Sequence, residues 1–232
     1  MPNNPESKAN IRMDRDVDSL KELALQMARR AEDILGKSLR AAWEGDPALS
    51  AEVKTDDLEI DRLDVAIDDA VLRVLALDAP VASDLRTVIA IKAIATDLER
   101  VGDLARNIAS CARRLSEMGS FSFPERMQTL ADDAQHSLRQ ANQSFVDLDP
   151  ALARAVLDGD DRIDDLEAEI VRGAIDSLAE NPESTKQVID LIFIAQSLER
   201  IGDHATNIAE ETILAAEAKN LKHSEKLAKA SN

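Results

Sequence analysis

Cysteine occurs once in this sequence, at position 111. That excludes an intrachain disulfide and a thiolate metal cage, and Cys111 reads most simply as a small core residue. Tyrosine is absent and the aromatics are one tryptophan and four phenylalanines. Glycine and proline number seven each in 232 residues, so turn signals are few. Scarce turns and few β-branched clusters predict an all-α chain. Positive charge is also short: 28 Lys and Arg stand against 45 Asp and Glu, a formal net charge of −17. Such a surface repels a phosphate backbone and an anionic membrane, which argues against nucleic acid and lipid as partners. It favours cations and basic protein surfaces. No apolar run approaches a membrane span. Met1–Asn10 is polar with two prolines and lacks the apolar stretch of a signal peptide, so a cytoplasmic protein is expected.

What the sequence does have is a segment written twice. Leu98-Glu99-Arg100-Val101-Gly102-Asp103-Leu104-Ala105-Arg106-Asn107-Ile108-Ala109 returns 100 residues later as Leu198-Glu199-Arg200-Ile201-Gly202-Asp203-His204-Ala205-Thr206-Asn207-Ile208-Ala209, identical at nine of twelve positions. Asp46-Pro47-Ala48-Leu49 likewise returns as Asp149-Pro150-Ala151-Leu152, 103 residues later. An internal repeat fixes architecture before any single residue does. Apolar spacing and caps predict six helices: Asp14–Trp43, Asp46 to about Asp78, Val81–Met118, Phe123–Asp147, Asp149–Glu180, and Asn181 to about Lys219. These group as two tandem, pseudo-symmetric three-helix bundles, 13–119 and 123–220, with residues 1–12 and 221–232 expected to be disordered. Helices of ~30 residues are ~45 Å long, so each bundle should be elongated.

The repeats carry carboxylates at helical spacing. Glu99 and Asp103 lie four apart on one face, as do Glu199 and Asp203. The preceding helices carry Asp57 with Asp61, and Asp160 with Asp164. With Pro80 as the first hairpin turn, Asp61 and Glu99 are each 19 residues from it, and Asp57 and Asp103 each 23. With Pro182 as the second turn, Asp164 and Glu199 are 18 and 17 away, and Asp160 and Asp203 are 22 and 21 away. Equal rise along antiparallel helices therefore gathers four carboxylates at one height in each unit. Oxygen-only donors suit hard cations such as Mg²⁺, Ca²⁺, Mn²⁺ or iron. A solvated acidic face, neutralised by Arg100, Arg106 and Arg200, is the other reading.

Gly102 and Gly202 each cost a helix about 1 kcal/mol. They imply either close helix approach or room for a ligand. Asn107 and Asn207, one turn beyond each Asp, suit either support of the acids that would ligate a metal or interhelical hydrogen bonds. His204 follows Asp203 and could reach a metal, although Leu104 holds that place in the first unit. His136 and His223 have no repeat partner, and Trp43 reads as a packing anchor. A ferritin-like di-iron enzyme needs a Glu-x-x-His on each of two helices. This chain has none, the nearest being Asp133-Ala134-Gln135-His136. No P-loop, nucleophile triad or nucleotide fingerprint is present.

The doubled Leu-Glu-Arg-Val/Ile-Gly-Asp segments, and Pro80-Val81-Ala82-Ser83-Asp84-Leu85-Arg86 ahead of the third helix, resemble the hallmark segments of the PhoU family. The family's usual His and Phe before the first helix are missing from Asn10-Ile11-Arg12-Met13-Asp14. The resemblance implies two three-helix bundles and a non-catalytic negative regulator of the phosphate-starvation response. It implies a cytoplasmic homodimer acting with the ATPase subunit of a phosphate ABC importer and with a sensor histidine kinase. By position it also implies a multinuclear metal (iron, or zinc, magnesium, manganese or calcium) on Asp57, Asp61, Glu99, Asp103, Asp160, Asp164, Glu199 and Asp203. A metal-free helical scaffold is the alternative.

Overall fold

A computed structural model describes residues 5–119 and 121–221, with side chains from residue 12 onward. The described residues form seven α-helices and one 3₁₀ turn. They are α1 (Pro5–Glu44), α2 (Pro47–Asp78), α3 (Ala82–Glu117), α4 (Glu125–Asp147), α5 (Pro150–Asp158), α6 (Asp160–Glu180), the 3₁₀ turn Pro182–Ser184, and α7 (Thr185–Glu217). The doubled Asp-Pro start acts as predicted in both places. Asp46 accepts from the amides of Ala48 at 2.7 Å and Leu49 at 3.4 Å, while Asp149 accepts from Ala151 at 2.8 Å and Leu152 at 3.1 Å.

Two expectations are corrected. The fifth helix is not continuous, because Gly159 ends α5 and α6 restarts at Asp160. Glycine is a poor helix former, and the acidic Asp160 and Asp161 that follow favour a helix N-terminus. Helix α1 extends back to Pro5, so residues 5–12, expected to be disordered, are helical. The rest of the expected tails, 1–4 and 222–232, lie outside the described residues.

In the first repeat α1 packs on both α2 and α3, which pack on each other. In the second, α4 packs on α5, α6 and α7. The most extensive helix pair is α3 with α7, which joins the two repeats. One hydrophobic core runs through all of this. Leu20, Met27 and Ile34 of α1, Ile91, Ile94 and Leu98 of α3, and Met127 and Leu130 of α4 are fully buried in it. Cys111 is buried, as expected. Trp43 is an anchor at the end of α1, its ring meeting Phe123 edge-on at 4.5 Å between centroids, with Phe121 a further edge contact of Phe123 at 5.1 Å.

Candidate functional site

The hairpin count holds in three dimensions. Helices α2 and α3 bring Asp57, Asp61, Glu99 and Asp103 together, and Asp64 joins them one turn beyond Asp61. Two arginines sit among these acids. Arg106 reaches Asp57 Oδ2 at 2.8 Å through Nη1 and Asp103 Oδ1 at 2.6 Å through Nη2. Arg100 reaches Glu99 at 3.3 Å and Asp103 at 3.2 Å. Asp57 is buried. Burial pushes its carboxyl up, Arg106 pulls it back down, and Asp61 and Asp103 add repulsion. Burial likewise raises Glu99, reinforced by Asp103 and opposed by Arg100. Lys92 caps the outer end, with Nζ 3.3 Å from Asp64 Oδ1 and 2.5 Å from Asp68 Oδ1.

Helices α6 and α7 assemble the same shape from Asp160, Asp164, Glu199 and Asp203, with Glu167 in the place of Asp64. Here the acids face one another with little compensation. Burial, then repulsion from Asp164 and Asp203, lifts Asp160 to about 6. Burial, then repulsion from Asp203, Asp164 and Glu167, lifts Glu199 to about 7, with Arg200 the weakest and only opposing influence. Asp164 and Glu167 are raised for the same first reason, burial.

The repeat explains the difference. Position 106 is Arg but its equivalent 206 is Thr, whose hydroxyl donates to Asp203 O at 2.7 Å. Position 92 is Lys but 192 is Ile. The second cluster therefore lacks two cations that the first one owns. Among the described residues no three His, Cys, Asp or Glu side chains are arranged to hold a metal ion. The two clusters differ in what they could accept. In the first, Asp57 and Asp103 are already committed to Arg106, and the donor set does not fit a metal. In the second, no Lys or Arg makes an ion pair with the four acids among the described residues, and oxygen-only donors of this kind are the chemistry of hard cations.

Other predicted residues fall into place around the helix pair α3–α7. His204 is not aimed at the acids. Its Nδ1 lies 2.8 Å from Asp97 Oδ1 on α3, and Asn207 Nδ2 donates to the same oxygen at 3.0 Å. Asn207 thus makes the expected interhelical bond. The glycines mark close helix approach. A Cβ on Gly102 would lie 2.9 Å from Ile60 Cδ1 and 3.0 Å from Asp57 Oδ1, and one on Gly202 would lie 3.1 Å from Ile163 Cδ1. Sequence reading missed Asp64, Glu167 and Lys92. The 103-residue offset pairs Asp64 with Glu167 and was the available signal.

The family model described as PhoU domain matches twice, over residues 24–112 and 127–212. The chain belongs to the PhoU family. The phosphate-specific transport system accessory protein PhoU homolog of Zymomonas mobilis is 34% identical over 208 residues, covering 90% of this chain and 88% of that protein. The homolog from Pseudomonas putida is 32% identical over 90% of this chain and 82% of its own length. The crystal structure of PhoU from Pseudomonas aeruginosa superposes with a TM-score of 0.86 at 30% identity, over 89% of this chain and 99% of that one. A phosphate transport system regulatory PhoU from Streptococcus pneumoniae gives 0.83 at 25% identity, over 90% and 99%. The paired three-helix PhoU architecture is thus the fold of this chain, and its PhoU homologues are accessory proteins of phosphate transport.

Proposed function

We propose that this chain is a non-catalytic negative regulator of the phosphate-starvation response. It works in the cytoplasm as a homodimer, docking on the ATPase subunit of a phosphate ABC importer and on a sensor histidine kinase. The observation that carries this reading is the PhoU match over both repeats, joined to relatives named as phosphate-transport accessory proteins. Among the described residues no helix is long and apolar enough to cross a membrane, which suits a protein that docks on membrane complexes. The reading is tested by capturing the ATPase subunit and the kinase with the full chain from phosphate-replete and phosphate-starved cell extracts. Phosphate-dependent capture supports it. Capture of neither at any phosphate level overturns it.

Metal belongs to the same proposal, confined to the second repeat. A hard cation held by Asp160, Asp164, Glu199 and Asp203 would supply the positive charge that Arg106 supplies in the first. Magnesium, calcium, manganese or iron suit these oxygens better than zinc. Elemental analysis of protein purified without chelator tests this. Metal retained by wild type and lost from Glu199→Ala/Asp203→Ala supports the site. Metal-free wild type, with melting unmoved by added Mn²⁺ or Ca²⁺, favours the plain scaffold.

A further inference from the structure

A cavity of about 370 Å³ lies between α3 and α7, lined in part by Ser197, Leu104 and Asn107, the repeat equivalents of Asp97, His204 and Asn207. Its polar lining is Asn107, Ser110, Arg114, Gln196, Ser197 and Arg200, with Phe193 at its wall, and it contains no carboxylate. In a chain of 45 acidic residues that absence is notable. The other repeat differs here. The positions 100 residues away from Ser197, Ser110 and Cys111 are Asp97, Glu210 and Glu211, so three neutral side chains stand where the other repeat has acids. Arg114 and Phe193 correspond to Leu214 and Ala93, so a guanidinium and an aromatic ring stand where the other repeat has aliphatic side chains.

The charge that remains is positive. Arg100 folds onto Glu99 and Asp103, but its repeat equivalent Arg200 makes no ion pair among the described residues and lines the cavity. Arg114 binds buried Asp190 through Nε at 2.9 Å and through Nη2, leaving Nη1 unengaged among the described residues. Cys111 stays a neutral thiol, because burial pushes it up to about 12. Ser110 and Ser197 donate to their own helix carbonyls, so the donors open to a ligand are Arg200 and the amides of Asn107 and Gln196. Phe193, 52% exposed, offers a flat apolar face beside them. A volume of this size is that of a small-molecule site, and guanidinium with amide donors is the chemistry that recognises a phosphoryl oxyanion.

We propose that the α3–α7 cavity binds a small phosphoryl-bearing anion, with the oxyanion at Arg200 and Asn107 and any planar body on Phe193. The inference does not depend on the regulatory role. The test is equilibrium dialysis of the full chain at low salt against inorganic phosphate, AMP and adenosine, with melting curves to confirm folding. Binding of phosphate or AMP but not adenosine is expected. Ser197→Asp, which restores the acid of the other repeat, should weaken it by about tenfold or more, and Arg200→Gln likewise. Arg62→Gln removes the same charge from the exposed face of α2 and should leave binding unchanged. Phe193→Ala separates the two sources, weakening AMP but not free phosphate. The proposal is overturned if neither phosphate nor AMP binds at millimolar concentration, or if folded Ser197→Asp and Arg200→Gln bind as tightly as wild type.

Discussion

Arg106 holds Asp57 at 2.8 Å, and Asp57 is buried with only 2% of its surface exposed. A guanidinium from α3 thus stands inside the acid cluster that α2 and α3 create. The second repeat has Thr206 in that position and leaves its acids facing each other. One duplicated architecture therefore holds a cluster neutralised from within and a cluster whose acids have no Lys or Arg ion pair among the described residues.

Replacing Arg106 by Thr should turn the first cluster into a copy of the second. Asp57 would lose its partner while remaining buried, a loss of about 1–3 kcal/mol, toward the low end because Arg106 is itself 42% exposed. Urea melts should show this loss in metal-free protein and its partial recovery with Mn²⁺ or Ca²⁺. A variant as stable as wild type would show that Arg106 does not neutralise the cluster.

Stability of the metal-free chain should fall as pH rises through neutrality. Glu199 and Asp160, lifted to about 7 and about 6, bind more protons folded than unfolded between their ordinary values near ~4 and these raised ones. Their contribution is favourable at pH ~5 and is lost as pH climbs past the folded values. Melting temperature should therefore be higher at pH ~5.5 than at pH ~8. Asp160→Asn/Glu199→Gln should flatten this profile between the two, and added Mn²⁺ at pH ~8 should mimic acidification. A melting temperature that rises with pH across this window would contradict the assignment.

Three glycines separate close packing from helix propensity. Gly102→Ala meets both Ile60 and Asp57 at 3.0 Å or less, and should destabilise by about 1–3 kcal/mol despite the gain in propensity. Gly202→Ala meets only Ile163 side-chain atoms, at 3.1 Å and beyond, and should cost less. Gly173→Ala inside α6 meets nothing within 4 Å and should stabilise by about 0.5–1 kcal/mol. Thermal melts of the three variants would reveal this order, or its absence.

Asp97→Ala should loosen the junction between the repeats. It removes the acceptor shared by His204 and Asn207 across α3 and α7, at a cost of about 1–2 kcal/mol. Hydrogen exchange should speed up first in the facing turns of those two helices. Unchanged exchange there would make the contact incidental.

How much of this was readable beforehand follows from what repeats and what does not. The duplicated Leu-Glu-Arg-Val/Ile-Gly-Asp segment announced two units, and counting outward from Pro80 and Pro182 put the right carboxylates level with one another. Local arithmetic suffices there because helix rise is constant. It failed at Gly159, where a helix former's neighbours hid a break. It also could not name the partner of His204, since Asp97 is 107 residues distant and belongs to the other repeat. The Arg200 cavity was invisible for the same reason. Its walls come from α3 and α7 together, and the 100-residue offset points to the missing acids only once those two helices are known to face each other.

The edge-on pair of Trp43 and Phe123 has a practical consequence. With no tyrosine in the chain, ultraviolet emission comes from a single indole, lodged where the end of α1 meets the run into α4. Any partner or ion that shifts one repeat against the other would alter that ring's surroundings. The molecule carries its own optical gauge of the seam, readable in solution without a label.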